Sequence, residues 1–384
     1  MDVLLLSCGT GGGHNAAARA IAEELRRRGH GAEILNPYSL CSEELAGRID
    51  RTYIRNVQKA PRLFGAVYRL GEWYRKLPLR SPVYLANRLM APVMSEYLEQ
   101  NRFDLIITTH IFPAGILTAV RRSGVETPKV IHVATDYVCI PFTEESECDA
   151  YVIPSAELTD EFAGYGIPRE KLCPLGIPVS SAFAGGESRR EARARLGLSG
   201  SGKYILVSGG SMGGGSIKSA IQALATAAAG RGDTELIVVC GSNSQLYGEL
   251  EARQLPNTTL LGFTDDMAGY MRACDLFVTK PGGLSSTEAA VCGVPMVHTA
   301  AIPGCETFNA GYFSSRGLSL LCPSTADGLL PALDLLDAPR ERAAMVRRQA
   351  ELINPCAAGD ISDLAERMAG LSGAINARRA VVAC

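Results

Sequence analysis

Two stretches of this chain have the same grammar. "LLLSCGTGGGHNAAARAIAEELRRRG" runs from Leu4 to Gly29, and "YILVSGGSMGGGSIKSAIQALATAAAGRG" runs from Tyr204 to Gly232. Each is an apolar strand, a burst of glycines, a helix of small and apolar residues, and a closing glycine. Glycine lets a strand turn tightly into a helix and lets a ligand approach the backbone, which is how a doubly wound parallel sheet begins. Two such beginnings predict two sheets. A length of 384 residues suits two domains of roughly 150–200 residues each.

The rest of the chain keeps that rhythm. Strands are predicted at "DVLLLS", "GAEILN", "FDLIITTH", "PKVIHVAT" and "AYVIPS". A second series follows at "KYILVSG", "TELIVVCG", "TTLLGF", "DLFVTK", "PMVHTA" and "LSLLC". Helical patterns fill many of the gaps, the mark of parallel strands joined by crossover helices. The stretch from Gly185 to Lys203 is rich in glycine, serine and arginine and reads as a linker. The expected fold class is α/β, with two Rossmann-like domains facing a central cleft. The expected parts are an N-terminal domain over 1–184, a linker over 185–203, a C-terminal domain over 204–354, and a final helix and tail over 355–384. Ile361, Leu364, Ala365, Met368 and Leu371 recur at helical spacing, so the final helix is amphipathic and expected to pack back on the N-terminal domain.

Composition excludes several classes. A formal charge of −2 gives no general reason to expect a nucleic-acid partner. The 47% apolar and 20% charged residues are those of a globular domain, and no run reaches the roughly 18 apolar residues of a membrane span. The opening "MDVLLLSCGTGGG" starts with an acid and reads as a strand, not a secretory signal, so a cytoplasmic protein is expected. The 12 cysteines lie scattered, without a C-x-x-C pair, and read as reduced thiols. Five histidines, none at ligand spacing, offer no metal site.

The glycine turns carry the chemistry. Gly9-Thr10-Gly11-Gly12-Gly13-His14 starts like a dinucleotide fingerprint but places His14 where the third glycine belongs. Asn36 stands where a ribose-binding acid would be expected, so NAD is disfavoured. At a helix N-terminus the dipole lowers an imidazole's pKa, which suits His14 to act as a neutral base; the structural alternative is a helix cap. Gly209-Gly210-Ser211-Met212-Gly213 opens the second helix and is suited to a diphosphate. It lacks the G-K-[ST] ending of a P-loop. Lys280-Pro281-Gly282-Gly283 follows a strand and precedes a helix, at the sheet edge where α/β ligands bind. Ser285 and Glu288 read either as a capping box or, for Glu288, as a carboxylate gripping ribose hydroxyls. His110 follows a strand end and is expected to line a cleft; His132 and His298 read as core histidines, and His30 as a solvent-facing helix-end residue.

These residues resemble the inverting nucleotide-sugar glycosyltransferases of the GT-B type, and among them the monogalactosyldiacylglycerol synthase and processive diacylglycerol glucosyltransferase family. The resemblance rests on "GTGGGHNAAARA", "THIFPAG", "ATDYVCIPF", "PLGIPV", "GGSMGGG", "GFTDDM", "KPGGLSSTEA" and "IPGCETFNAGYF", in the family's order over nearly the whole chain. It implies a UDP-sugar donor, a diacylglycerol-type acceptor, a β-glycolipid product and no metal cofactor. His14 then matches the base that deprotonates the acceptor hydroxyl, and Asp136 an acid on the acceptor side. Gly12, Gly13, His110, Phe112 and Tyr137 fall on the same side. Ser211 and its neighbours match the diphosphate loop, with Lys280 adding positive charge. Phe263, with Thr264 and Met267, looks like the uracil-flanking segment, and Glu288, among Ser285 and Thr287, matches the ribose carboxylate. Glu306 and Asn309 fall where the donor sugar's hydroxyls are read. Cys305 replaces the glutamine of a common G-Q-E pattern, and a thiol is a poor hydrogen-bond partner, so glucose and galactose both stay open.

Between Lys59 and Met90 the chain carries seven basic residues against one acid, Glu72, and its single tryptophan. Arg62, Arg69, Arg75, Lys76 and Arg80 alternate there with Phe64, Tyr68, Trp73 and Tyr74. Basic residues attract anionic headgroups at about 1 kcal/mol each, and aromatic rings settle at the interface. The expectation is peripheral attachment to the inner face of the cell membrane; the alternative is a solvated helix pair. Competing functions are a UDP-N-acetylglucosamine transferase acting on a polyprenyl-linked cell-wall precursor, a nucleotide-sugar epimerase, and a regulator that senses lipid or UDP-sugar without turnover.

Overall fold

The computed structural model describes residues 1–9, 12–59, 61–210, 217–325 and 327–371, with the side chains at 53–59, 61, 62 and 64 excepted. The chain divides into two compact units. One comprises Met1–Arg55, Ala66–Ser180 and the residues from Pro355; the other comprises Asn56–Gly65 and Ser181–Asn354.

The first unit is built on β1 (Asp2–Leu6), β2 (Gly31–Leu35), β3 (Leu105–Thr108), β4 (Lys129–Val133), β5 (Ala150–Val152) and β6 (Leu172–Cys173). Every pairing is parallel, in the order β2-β1-β3-β4-β5-β6. A parallel sheet is covered on both faces, so its strands read as continuous apolar runs rather than alternating ones. Leu4, Leu5, Leu6, Ile106 and Ile107 are accordingly all buried. The helix Ala357–Met368 belongs to this unit. Its Ile361, Leu364 and Ala365 share a core with Val3, Leu5, Ala18 and Ile21. Arg28, on the turn after the first helix, reaches Asp363 at 2.5 Å and Glu24 at 2.7 Å.

The second unit holds β7 (Lys203–Ser208), β8 (Thr234–Val239), β9 (Thr258–Leu261), β10 (Leu276–Thr279), β11 (Met296–His298) and β12 (Leu320–Leu321). These too pair in parallel, in the order β12-β11-β10-β7-β8-β9. The helix Ile217–Ala229 lays Ile217, Ala220, Ile221 and Leu224 on β7 and β8, the i, i+3, i+4, i+7 stripe of a buried helix face. Eleven of the twelve strands coincide with apolar runs read from sequence. The twelfth, β6, is two residues long and Pro174 follows it directly. None of the eleven described cysteines forms a disulfide, and no described helix is long and apolar enough to cross a membrane.

Candidate functional site

In an open α/β sheet, ligands bind beyond the carboxyl ends of the strands where the strand order reverses. In the first sheet that point lies between β1 and β3. His14 follows β1, in the first turn of the helix Gly12–Arg27, with Gly12 and Gly13 half-buried before it. His110 follows β3 and caps the helix Ile111–Arg122 by accepting from the Phe112 amide at 3.1 Å. The two rings meet edge to face at 4.5 Å, and Phe112 packs on His110 at 4.4 Å.

His14 is fixed by its neighbours. Its Nδ1 lies 2.8 Å from the Thr109 carbonyl and 2.9 Å from the Thr135 hydroxyl. A carbonyl can only accept, so Nδ1 carries the hydrogen, and the lone pair of the neutral ring sits on Nε2. Thr109 also ties the His14 carbonyl through its hydroxyl at 3.0 Å. Burial lowers the pKa of His14, with the Asp136 charge and the Thr109 bond opposing. The sequence expectation of a dipole-lowered base is therefore corrected: burial is the leading cause, and the ring bonds Thr109 and Thr135 instead of capping its helix. His110 is held well below the usual imidazole range by burial and by His14 and His132. His14, His110, Thr135 and Asp136 line one small cavity, while Tyr137 beside Asp136 is buried.

In the second sheet the reversal lies between β7 and β10. Gly209 and Gly210 follow β7; Ser211, Met212 and Gly213 lie outside the described residues. Gly210 has φ +77°, a conformation that strains any other residue, so glycine is favoured there, and an added methyl group would stand 3.3 Å from Lys280 Cε. Lys280 Nζ pairs with Glu306 Oε1 at 2.5 Å, and Glu306 Oε2 accepts from the Ile302 amide at 2.9 Å. Asn309 Nδ2 donates to the Pro281 carbonyl at 3.0 Å. Glu306 and Asn309, on the helix Cys305–Ser315, thus tie this helix to the loop after β10. That helix opens behind Gly304, at φ +128°, with Cys305 as its first residue.

The capping box expected at Ser285 and Glu288 does not form. The helix Gly283–Val291 takes Gly282 as its N-cap without a side-chain bond. Ser285 is therefore a third helical residue, and Glu288 lies half-buried mid-helix. Thr287 turns inward and bonds the Gly283 carbonyl at 2.8 Å. Phe263 is 71% exposed; Thr264 caps the Asp266 amide at 3.1 Å, and Met267 starts the helix Met267–Ala273.

The basic segment divides. In the helix Pro61–Tyr74 the side chains of Arg62 and Phe64 are not described. Leu63, Val67, Leu70 and Trp73 are each 58–64% exposed at i, i+4, i+7, i+10, one stripe. Arg69, Lys76 and Arg80 are exposed and Tyr68 is half-buried; the Tyr74 hydroxyl bonds the Arg80 carbonyl at 3.1 Å. Arg75 is a correction to a purely surface role. Its side chain is 2% exposed, pairs with Glu144 at 2.6 Å and lies 3.4 Å over the Tyr165 ring.

Sequence reasoning missed two neighbours of the first site, Asp50 and His132, and one contact away from it, at His30. Asp50, from the helix Glu43–Lys59, bonds the Gly9 amide, and its carboxylate occupies the space a methyl group at Gly9 would need. No local pattern marks it. His30 does not face solvent: it bonds Glu366 of the final helix at 2.9 Å. His132, on β4, is 3% exposed and lines the same cavity as His14. Among the described residues no group of three or more His, Cys, Asp or Glu could hold a metal ion.

Comparison with known proteins agrees with this layout. Residues 14–179 match the monogalactosyldiacylglycerol (MGDG) synthase family model, and residues 204–321 match the glycosyltransferase family 28 C-terminal domain. A processive diacylglycerol beta-glucosyltransferase from Staphylococcus saprophyticus is 28% identical over 270 residues, 68% of this chain and 65% of that protein. One from Bacillus pumilus is 22% identical over 355 residues, 91% of this chain and 90% of that protein. The crystal structure of Acinetobacter baumannii MurG superposes with a TM-score of 0.63 at 17% identity, covering 95% of this chain and 99% of that one, which shows the GT-B fold. The chain therefore joins an MGDG synthase domain to a family 28 C-terminal domain and belongs, as a distant member, with the glycosyltransferases of that family.

Proposed function

We propose that this enzyme is an inverting transferase that moves a hexose, glucose or galactose, from a UDP-sugar to diacylglycerol or a glycosyl-diacylglycerol. The product is a β-glycolipid. The observation that carries this reading is the Nδ1–Thr109 bond of His14, which leaves Nε2 as a proton acceptor at a strand-order reversal. In the reaction, Nε2 takes the proton as the lipid hydroxyl attacks the anomeric carbon from the face opposite the leaving group. Asp136 steadies the imidazolium that forms, as its charge already opposes the lowering of the His14 pKa.

The leaving uridine diphosphate is held by the glycine loop after β7, where helix-terminus amides stabilise negative charge. Lys280 adds charge once it exchanges Glu306 for the diphosphate. Glu288 grips the ribose, Phe263 flanks the base, and Glu306 and Asn309 read the sugar's hydroxyls. No metal is required for these steps. The acceptor is drawn from the cytoplasmic face of the membrane. The exposed stripe Leu63, Val67, Leu70 and Trp73 enters the interface, flanked by Arg69, Lys76 and Arg80. This surface is more aliphatic, and less cationic, than composition alone suggests.

The test incubates the protein with diacylglycerol in anionic vesicles and, separately, UDP-glucose, UDP-galactose and UDP-N-acetylglucosamine. A hexosyl lipid detected by mass spectrometry, and lost in His14→Ala, supports the reading and names the donor. Transfer from UDP-N-acetylglucosamine alone, or UDP binding without product, overturns it in favour of a cell-wall transferase or a regulator. Leu70→Ser with Trp73→Ser is expected to lower vesicle binding at least tenfold while UDP binding holds.

A further inference from the structure

His132 has a feature that core packing does not account for. Its Nδ1 is buried and has no hydrogen-bond partner among the described residues. Most buried polar side-chain atoms are paired, by protein or by ordered water, and leaving one unmet is costly. A histidine serving as apolar filling would be replaced without loss by leucine or phenylalanine, which carry no such cost.

The surroundings show what would meet it. His132 lines a cavity together with His14, His110, Thr109, Thr135 and Asp136. The cavity measures about 10 Å³, which is about the room one water requires, and a buried water needs two to four polar partners. The wall supplies imidazoles, hydroxyls and a carboxylate. Burial and the proximity of His14 push the His132 pKa down to about 4, so its ring is neutral and free to donate or accept there.

We propose that this cavity holds one ordered water bound to His132 Nδ1, and that His132 is a positioning residue that acts through this water on the His14–His110 pair. The water fixes the edge-to-face contact of the two rings from behind, so that His14 Nε2 keeps its aim. The ring of His132 is itself held from the far side by the edge of Tyr151, 6.0 Å between centroids.

The proposal rests on His14 being the base, so the test separates the two. Crystals of the full chain diffracting well enough to show ordered water give the first readout, without turnover. Density for one water within hydrogen-bond reach of His132 Nδ1 is expected; a dry cavity overturns the proposal whatever His14 does. The second readout is transfer from the active UDP-hexose to diacylglycerol vesicles. His132→Leu is expected to lower kcat by about ten- to a hundredfold, as a misaimed catalytic group does, with KM for the UDP-sugar unchanged. His132→Asn, which returns a polar atom near the Nδ1 position, is expected to recover most of that loss. The third readout is the melting temperature: His132→Leu is expected to leave it about unchanged, because the hydrogen bond to the water is exchanged for apolar packing at a buried site. A kcat unchanged in His132→Leu, a lowered melting temperature that accounts for the loss, or an equal loss in His132→Asn overturns the proposal. If instead His14→Ala retains turnover while the water is present, the base assignment fails and the water site stands.

Discussion

His132 and His298 occupy matching places in the two sheets. Each lies on the strand next to the one that borders the order reversal, and each pairs in register with a threonine, Thr108 for His132 and Thr279 for His298. Both rings are buried, and burial pushes both pKa values down, to about 4 for His132 and about 3 for His298. Their partners differ. His298 has a serine hydroxyl at each nitrogen, Ser286 at 2.9 Å and Ser319 at 3.0 Å, whereas His132 Nδ1 has no side-chain or backbone partner among the described residues and lies beside a cavity. The contrast extends along the edges. After β10, Lys280, Glu306 and Asn309 are tied to one another's loops; after β3 and β4, the imidazoles crowd a cavity. An edge tied by an ion pair and a side-chain amide is a cradle, rigid until a ligand exchanges partners with it, although Thr279 Oγ1 at the end of β10 has no hydrogen-bond partner among the described residues. The edge after β3 and β4 keeps polar capacity in reserve for a reaction.

The largest expected effect tests the reactive edge. His14→Ala should lower transfer by about 10²–10⁴-fold, the range of a general base, while UDP affinity by calorimetry stays within twofold. Loss of UDP affinity alongside activity would break the division between the edges. Next comes the tied edge. His298→Ala strands two serine hydroxyls and opens a cavity, and should cost about 2–4 kcal/mol in urea unfolding. A cost matched by His132→Leu would erase the contrast.

A pH series sharpens the comparison further. His298 is neutral in the folded state down to about 3 but titrates at the ordinary 6.5 when unfolded. Its stabilisation is therefore complete above pH 6.5, lost progressively as pH falls, and gone below about 3. The slope is about 1.4 kcal/mol per pH unit. Between pH 6.5 and 5 the parent protein should lose about 2 kcal/mol more than a His298→Ala variant, read from urea midpoints at each pH. His132→Leu should flatten the curve similarly, because both rings are buried neutral. Smallest is Glu306→Gln, which removes the ion pair at Lys280 and keeps an acceptor for the Ile302 amide. UDP should bind roughly fivefold tighter as the freed ammonium meets the diphosphate, by the same calorimetry.

Much of the fold was legible because parallel strands buried on both faces are continuous apolar runs. Leu4–Leu6 or Ile205–Val207 can hardly be read otherwise. The glycine turns marked the ends of β1 and β7, since few other residues turn a strand so sharply into a helix. What escaped notice depends on distance in sequence. Nothing near Arg75 announces that Glu144 will neutralise it. Nothing near Gly9 announces Asp50, and nothing near His30 announces Glu366. The capping box failed for a local reason: the helix starts three residues earlier than S-x-x-E implies, because Gly282 already serves as its N-cap. His132 and His298 look alike in sequence, each an apolar strand's single histidine, and only their neighbours from other strands tell them apart.

The helix Ala357–Met368, which packs on the first helix of the chain, also bears on how the protein is made. The core around β1 lacks a side until residues 361–365 leave the ribosome, after the whole second unit has been synthesised. At 5–20 residues per second that is a delay of roughly 10–40 s after residue 180 emerges. During that interval the part of this core that Ile361, Leu364 and Ala365 cover is exposed. The second unit, whose main segment is continuous from Ser181 to Asn354, meets no such wait. The nascent chain is therefore expected to complete its second unit before its first.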